Sequence, residues 1–192
     1  MRQRPTPTRP RPFGHHLGIV WFCLGPALAG AQDGSGDTAA LVRSALSAAP
    51  PSVAKGATVV DHKNNVLRKG TNGWTCMPDD PSVPNNTPMC LDAPWLDFIG
   101  ALMGKRPPQI AGIGIGYMLQ EDMPVSNIDP FAAGPSASNQ WLVNGGPHVM
   151  LVVPDTTLLT TLSADPDRGV PWVMWRGTPY AHVMIPAVAR GR

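Results

Sequence analysis

The clearest periodicity in the chain lies between residues 92 and 104, where Trp95, Phe98, Ile99, Leu102 and Met103 fall at the i, i+3, i+4, i+7, i+8 spacing of one helical stripe. It predicts a helix over about 93–103, opened near Asp92, ended by Gly104 and Pro107-Pro108, and laid across a sheet. A second helix, rich in alanine and leucine, is expected over 38–49, capped by Asp37 and stopped by Pro50-Pro51. Segments 57–61 and 65–69 read as strands around Lys63-Asn64, and Gly70 to Gly73 turn the chain into Trp74-Thr75-Cys76. Over 110–119 glycines alternate with isoleucines, which predicts a strand with isoleucines on one face and room for another backbone on the other. Its Gly-Ile-Gly-Ile-Gly is not a dinucleotide fingerprint, since the last glycine of that motif is missing and no helix pattern follows. From 120 to 140 the composition turns to Asp, Asn, Ser, Gly and Pro, a long loop with a short helical turn after Asp129-Pro130.

The final third repeats one theme. His148-Val149-Met150, Trp172-Val173-Met174 and His182-Val183-Met184 each place a large ring two residues before a methionine. On a strand, residues two apart share a face, so each ring lies beside its methionine while the valines point away. If Arg176 to Tyr180 close a hairpin, Met174 sits opposite His182 and Trp172 opposite Met184. One sheet face then presents two imidazoles and three thioethers. The fold class expected is α+β: a mainly antiparallel sheet with one or two helices packed on it, a single domain and one disulfide.

Residues 1–31 change what the charge means. Arg2, Arg4, Arg9 and Arg11 precede an apolar run over 17–29 and the small residues Ala29-Gly30-Ala31, with no acid in the segment. That is the layout of a secretory signal, with cleavage expected before Gln32. The run is broken by Gly25 and Pro26 and falls short of the about 20 apolar residues a membrane span needs. Cys23 leaves with it, because Val20-Trp21-Phe22 lacks the small residues that precede a lipid-attachment cysteine. The 192-residue chain, net +2, then becomes a mature chain with 11 basic and 13 acidic residues, net −2. No basic cluster exceeds Arg68-Lys69 or Lys105-Arg106, which argues against nucleic acid as a partner, and no later apolar stretch is long enough to span a membrane. The organisation expected is a signal peptide over 1–31, a helical segment and linker over 32–55, and an α+β domain over 56–192. The protein is expected in the periplasm or outside the cell, with a small ligand or an envelope protein as partner.

In that compartment Cys76 and Cys90 have only each other, and they close a proline-rich loop. Asp79, Asp80, Asn85, Asn86 and Asp92 in and beside that loop offer oxygen ligands but lack the spacing of a calcium loop. Asn85-Asn86-Thr87 matches a glycosylation sequon. No serine sits in a nucleophile elbow.

The face bearing His148, Met150, Met174, His182 and Met184 has the chemistry of a metal site, since imidazole with thioether favours copper, above all Cu(I), over hard cations. In ligand kit it resembles periplasmic copper and silver chaperones, which join histidine, methionine and a covering tryptophan, although the spacing differs. No other cofactor is expected. A core packing of the same residues is the competing reading. Two strand-borne histidines also resemble the two-histidine phosphoesterases, but methionine replaces the hydroxyl residue that holds phosphate there. A hydrolase-type acid/base site would instead use His148 or His182 with Tyr180 and Asp129. Trp74, Trp95, Trp141, Trp172 and Trp175 are many tryptophans for a groove or core of this size. Lacking a nucleophile, a metal motif or a phosphate loop, the chain reads as a binding or accessory protein rather than an enzyme.

As a whole it resembles an uncharacterised family of small exported bacterial proteins. The resemblance is carried by Asn72-Gly73-Trp74-Thr75-Cys76, Met89-Cys90-Leu91-Asp92, Tyr117-Met118-Leu119, Ser126-Asn127-Ile128-Asp129-Pro130, Gly146-Pro147-His148 and 173–180. It implies a whole-domain relationship and brings no activity with it.

Overall fold

In the computed structural model, residues 35–188 are described, and residues 1–31, expected above to be a signal, lie outside them with their arginines and Cys23. These residues build an eight-stranded sheet in which every pairing but one is antiparallel. The strands are β1 (Thr58–Val60), β2 (Val66–Arg68), β3 (Thr75–Met77), β4 (Met89–Leu91), β5 (Gly114–Met118), β8 (His148–Val152), β9 (Trp172–Met174) and β10 (His182–Pro186), with spatial order β2-β1-β3-β4-β5-β8-β10-β9. The exception is β1, which runs parallel to β3. A separate two-stranded ribbon joins β6 (Val125–Ser126) to β7 (Trp141–Leu142). Three α-helices complete the α+β domain: α1 (Ser35–Leu46), α2 (Pro51–Ala54) and α3 (Ala93–Met103).

Helix α3 starts where the sequence places it. Asp92 Oδ1 accepts from Trp95 N at 3.1 Å, and Oδ2 accepts from Ile115 N at 2.7 Å, so one carboxylate caps the helix and ties it to β5. Trp95, Phe98 and Ala101 are buried, whereas Met103 is 78% exposed and falls off the predicted stripe. The helix approaches β5 over its glycines. A Cβ on Gly114 would stand 2.7 Å from Val152 Cγ2 and 2.8 Å from Pro94 Cβ, both on stiff side chains. Gly114→Ala is therefore expected to cost about 1–3 kcal/mol in urea unfolding, through overpacking.

Other expectations need adjusting. Helix α1 begins by Ser35 and ends at Leu46, so Asp37 lies in its first turn, and Pro51 opens α2 because proline suits a first helical turn. After Asp129-Pro130 the chain makes a single turn and no helix, with Ala132 N donating to Asp129 O at 3.4 Å. Asp129 Oδ1 accepts from Phe131 N at 2.9 Å, a local turn that competes with helix.

Cys76 and Cys90 face each other across β3 and β4 and are bonded, with Cα atoms 4.0 Å apart. The loop they close is held by polar bonds: Asp79 Oδ1 accepts from Thr87 N at 2.6 Å, and Glu121 Oε2 accepts from Asn86 N at 2.8 Å. Asp80 accepts from Ser82 N and Asp92 is spent on the cap, so these acids serve turns. Cys76→Ser/Cys90→Ser should lower unfolding free energy by about 3 kcal/mol, read from denaturant midpoints, because the open loop enlarges the unfolded ensemble.

The sheet has two dressed faces. Helix α3 covers one, with a core of Leu91, Trp95, Phe98, Met118, Met150 and their neighbours. The opposite face packs Ala45 of α1, with Ala48 and Ala49 of the turn after it, on Val59, Cys76 and Cys90 at one end, and Leu159 from a 3-10 turn on Val173 and Val183 at the other.

Candidate functional site

The three ring-Val-Met segments are β8, β9 and β10, and they are adjacent. The register is the predicted one, with His182 opposite Met174 and Met184 opposite Trp172. Met184 also faces Met150, and His148 faces Met118 on one side and Pro186 on the other. Directly opposed residues share a face. Both imidazoles and all three predicted methionines therefore lie on the face covered by α3, and Met118 joins them.

That face has two ends. His148 pairs with Pro186, which lies four residues beyond His182 on β10. At roughly 3.3 Å per residue the two histidine backbones stand about 13 Å apart along the strands. They occupy different surroundings.

His182 is 3% exposed and ringed by aromatics, with centroids 4.9 Å from Trp175, 5.3 Å from Trp95 and 5.5 Å from Phe98, all edge-on. Its Nδ1 lies 3.0 Å from Tyr180 O. Burial, partly offset by that hydrogen bond and reinforced by His148, lowers its pKa from 6.5 to about 4. It is neutral at physiological pH.

His148 is fully buried, and its Nδ1 lies 2.7 Å from Gly146 O. A carbonyl only accepts, so Nδ1 carries the proton and Nε2 is left as a bare lone pair. That Nε2 has no hydrogen-bond partner among the described residues. Both histidines use the same device, a ring N–H donated to the carbonyl two residues back, which fixes the tautomer.

The acid/base candidates do not converge on these rings. Tyr180 donates its hydroxyl to Arg106 O at 3.1 Å, and the exposed Asp129 turns to Phe131 N. Among the described residues no three His, Cys, Asp or Glu side chains form a metal-sized group.

A residue outside the sequence-derived set closes this region. Asn127 is 1% exposed, donates through Nδ2 to Gln140 Oε1 and Ala164 O, and accepts from Trp172 Nε1 at 3.0 Å. Its backbone carbonyl accepts from Trp175 N at 2.7 Å, while Trp175 Nε1 donates to Ser126 O at 2.7 Å. These bonds hold Trp175 at a positive φ of 54°. Asn127→Ala should cost about 2–3 kcal/mol in thermal or urea unfolding, because it strands a buried indole N–H and two acceptors. Nothing in composition or periodicity marks one loop asparagine among many.

An open groove of about 510 Å³ lies on the opposite face, between the 3-10 turn Thr156–Leu159 and the turn after β9. Several of its polar groups are engaged within the chain: Thr160 Oγ1 donates to Thr157 O, Thr178 Oγ1 donates to Trp175 O, and Arg176 donates to Thr160 O and Leu162 O. No helix of the described residues is long and apolar enough to cross a membrane.

No family model, curated protein or solved structure matches the chain.

Proposed function

We propose that the chain is an exported binding domain of the accessory kind, with its ligand seat at the His148 end of the face under α3. The observation that carries this reading is the buried Nε2 of His148, a lone pair held ready by the Gly146 carbonyl and left without a hydrogen-bond partner among the described residues. Burying a polar atom unpaired costs about 1–3 kcal/mol, a cost that an incoming ligand would relieve. Binding is favoured over acid/base catalysis by two features. The hydrogen bond of each imidazole goes to a backbone carbonyl rather than to an acid, and His182, with a pKa of about 4, is far from the near-neutral value that proton transfer at pH 7 favours. Export is supported by the signal-like layout of 1–31 and by the Cys76–Cys90 bridge, which persists in oxidising compartments.

Native mass spectrometry of the chain recovered from the export compartment of its producing cells tests this. The expected species begins at Gln32, carries the bridge, and holds a noncovalent adduct that His148→Phe releases. An uncleaved chain with free thiols, or the absence of any adduct sensitive to His148, contradicts the proposal.

A further inference from the structure

We propose that the seat is a Cu(I) site formed by His148 Nε2 and the thioethers of Met118 and Met150, an inference that rests on the binding reading above and gives its ligand a chemical class. The register sets these residues at three corners of a square on one face: Met118 opposite His148, and Met150 two residues along β8 opposite Gly116. The fourth corner has no side chain, and Met150 fills it together with Leu91 and Trp95, the Met150 methyl standing 2.9 Å from where a Gly116 Cβ would be. Met150 thus leans onto β5 beside Met118. Opposed pairs on one face have Cβ atoms about 5 Å apart, within reach of an imidazole and a thioether that share one ion.

The donor chemistry selects the ion. One neutral imidazole and two neutral thioethers are soft ligands with no negative charge, a set that suits Cu(I) and not a hard divalent cation. His148, Met118 and Met150 are 0%, 3% and 7% exposed, and a single positive charge is cheaper to bury there than a double one. The tautomer is already correct, since metal-binding histidines commonly donate their other N–H to a carbonyl or carboxylate. His182 and Met174 are left out. They lie at the other end of the face, where Trp95, Phe98 and Trp175 crowd the His182 ring.

Anaerobic competition of the full chain with a chromophoric Cu(I) chelator tests the site, using Cys23→Ser in every variant to remove the thiol outside the described residues. The parent is expected to take one Cu(I), and X-ray absorption to show one nitrogen and two sulfur neighbours. Met118→Leu/Met150→Leu conserves volume and should keep the parent's melting curve while weakening Cu(I) at least about ten-fold. His148→Phe should abolish binding, and Ag(I) should displace Cu(I). Cu(I) binding by the leucine pair equal to the parent's, or a bound ion without sulfur neighbours, overturns the proposal. If the parent takes no Cu(I) while the exported chain keeps its His148-dependent adduct, the ion is wrong and the seat stands. If neither is seen, both fall.

Discussion

Trp95→Ala is expected to remove about 3–5 kcal/mol of stability, more than Gly114→Ala or Asn127→Ala, read as a fall in the urea midpoint. Trp95 is 2% exposed in the first turn of α3, where Asp92 caps the helix over the bare glycines of β5. Its ring packs edge-on against Phe98, with centroids 4.8 Å apart, and against His182. Its Nε1 donates to Met150 O at 3.2 Å, so the same side chain fastens helix to sheet beside the proposed seat. Truncation leaves a cavity that the flanking glycines cannot fill and removes the hydrogen bond to the Met150 carbonyl. Trp95→Phe separates the two effects. It keeps most of the apolar area and loses the bond, with an expected cost of about 1–3 kcal/mol.

The second large effect is acid destabilisation through His182. Its folded-state pKa is depressed from 6.5 to about 4, because burial disfavours the imidazolium. The unfolded chain therefore binds more protons than the folded one between those values. The stability held by the neutral ring is fully present above about pH 6.5, declines as pH falls, and levels off below about pH 4. Across that window the loss is on the order of 3 kcal/mol. Urea titrations at pH 7 and 4.5 should show it, and His182→Gln should flatten the dependence while lowering stability at pH 7. Equal pH dependence in parent and variant would place the titration elsewhere.

The elements whose order is local were legible in the sequence. Asp92, the spacing of Trp95 and Phe98 and the closing Gly104 define α3, and the period-two placement of His182, Met184, Trp172 and Met174 gave the β9–β10 register residue by residue. The shared face of His148 and Met150 with those residues also followed from alternation alone. What periodicity could not supply was strand order. That β8 lies between β5 and β10, so that Met118 rather than His182 is the close neighbour of His148, depends on pairings across about thirty residues of chain. Alternation therefore placed these residues on one face without giving their separation along the strand axis. Asn127 was hidden for a different reason: its role comes from five long-range hydrogen bonds made by one loop residue, and no local pattern encodes them. The end of α1 was misjudged because alanine runs have high helix propensity, yet Ala48 and Ala49 are buried in the turn that follows.

In the proposed arrangement His148 presents an unprotonated Nε2 to a buried seat of its own, separate from His182. Long-range nitrogen–proton correlation of the histidine rings in the full chain near pH 7, before and after one equivalent of Cu(I), measures this directly. Nδ1–H tautomers are expected at both His148 and His182, with Cu(I) shifting the Nε2 resonance of His148 and leaving that of His182 in place. A protonated Nε2 at His148, or a response confined to His182, would contradict it.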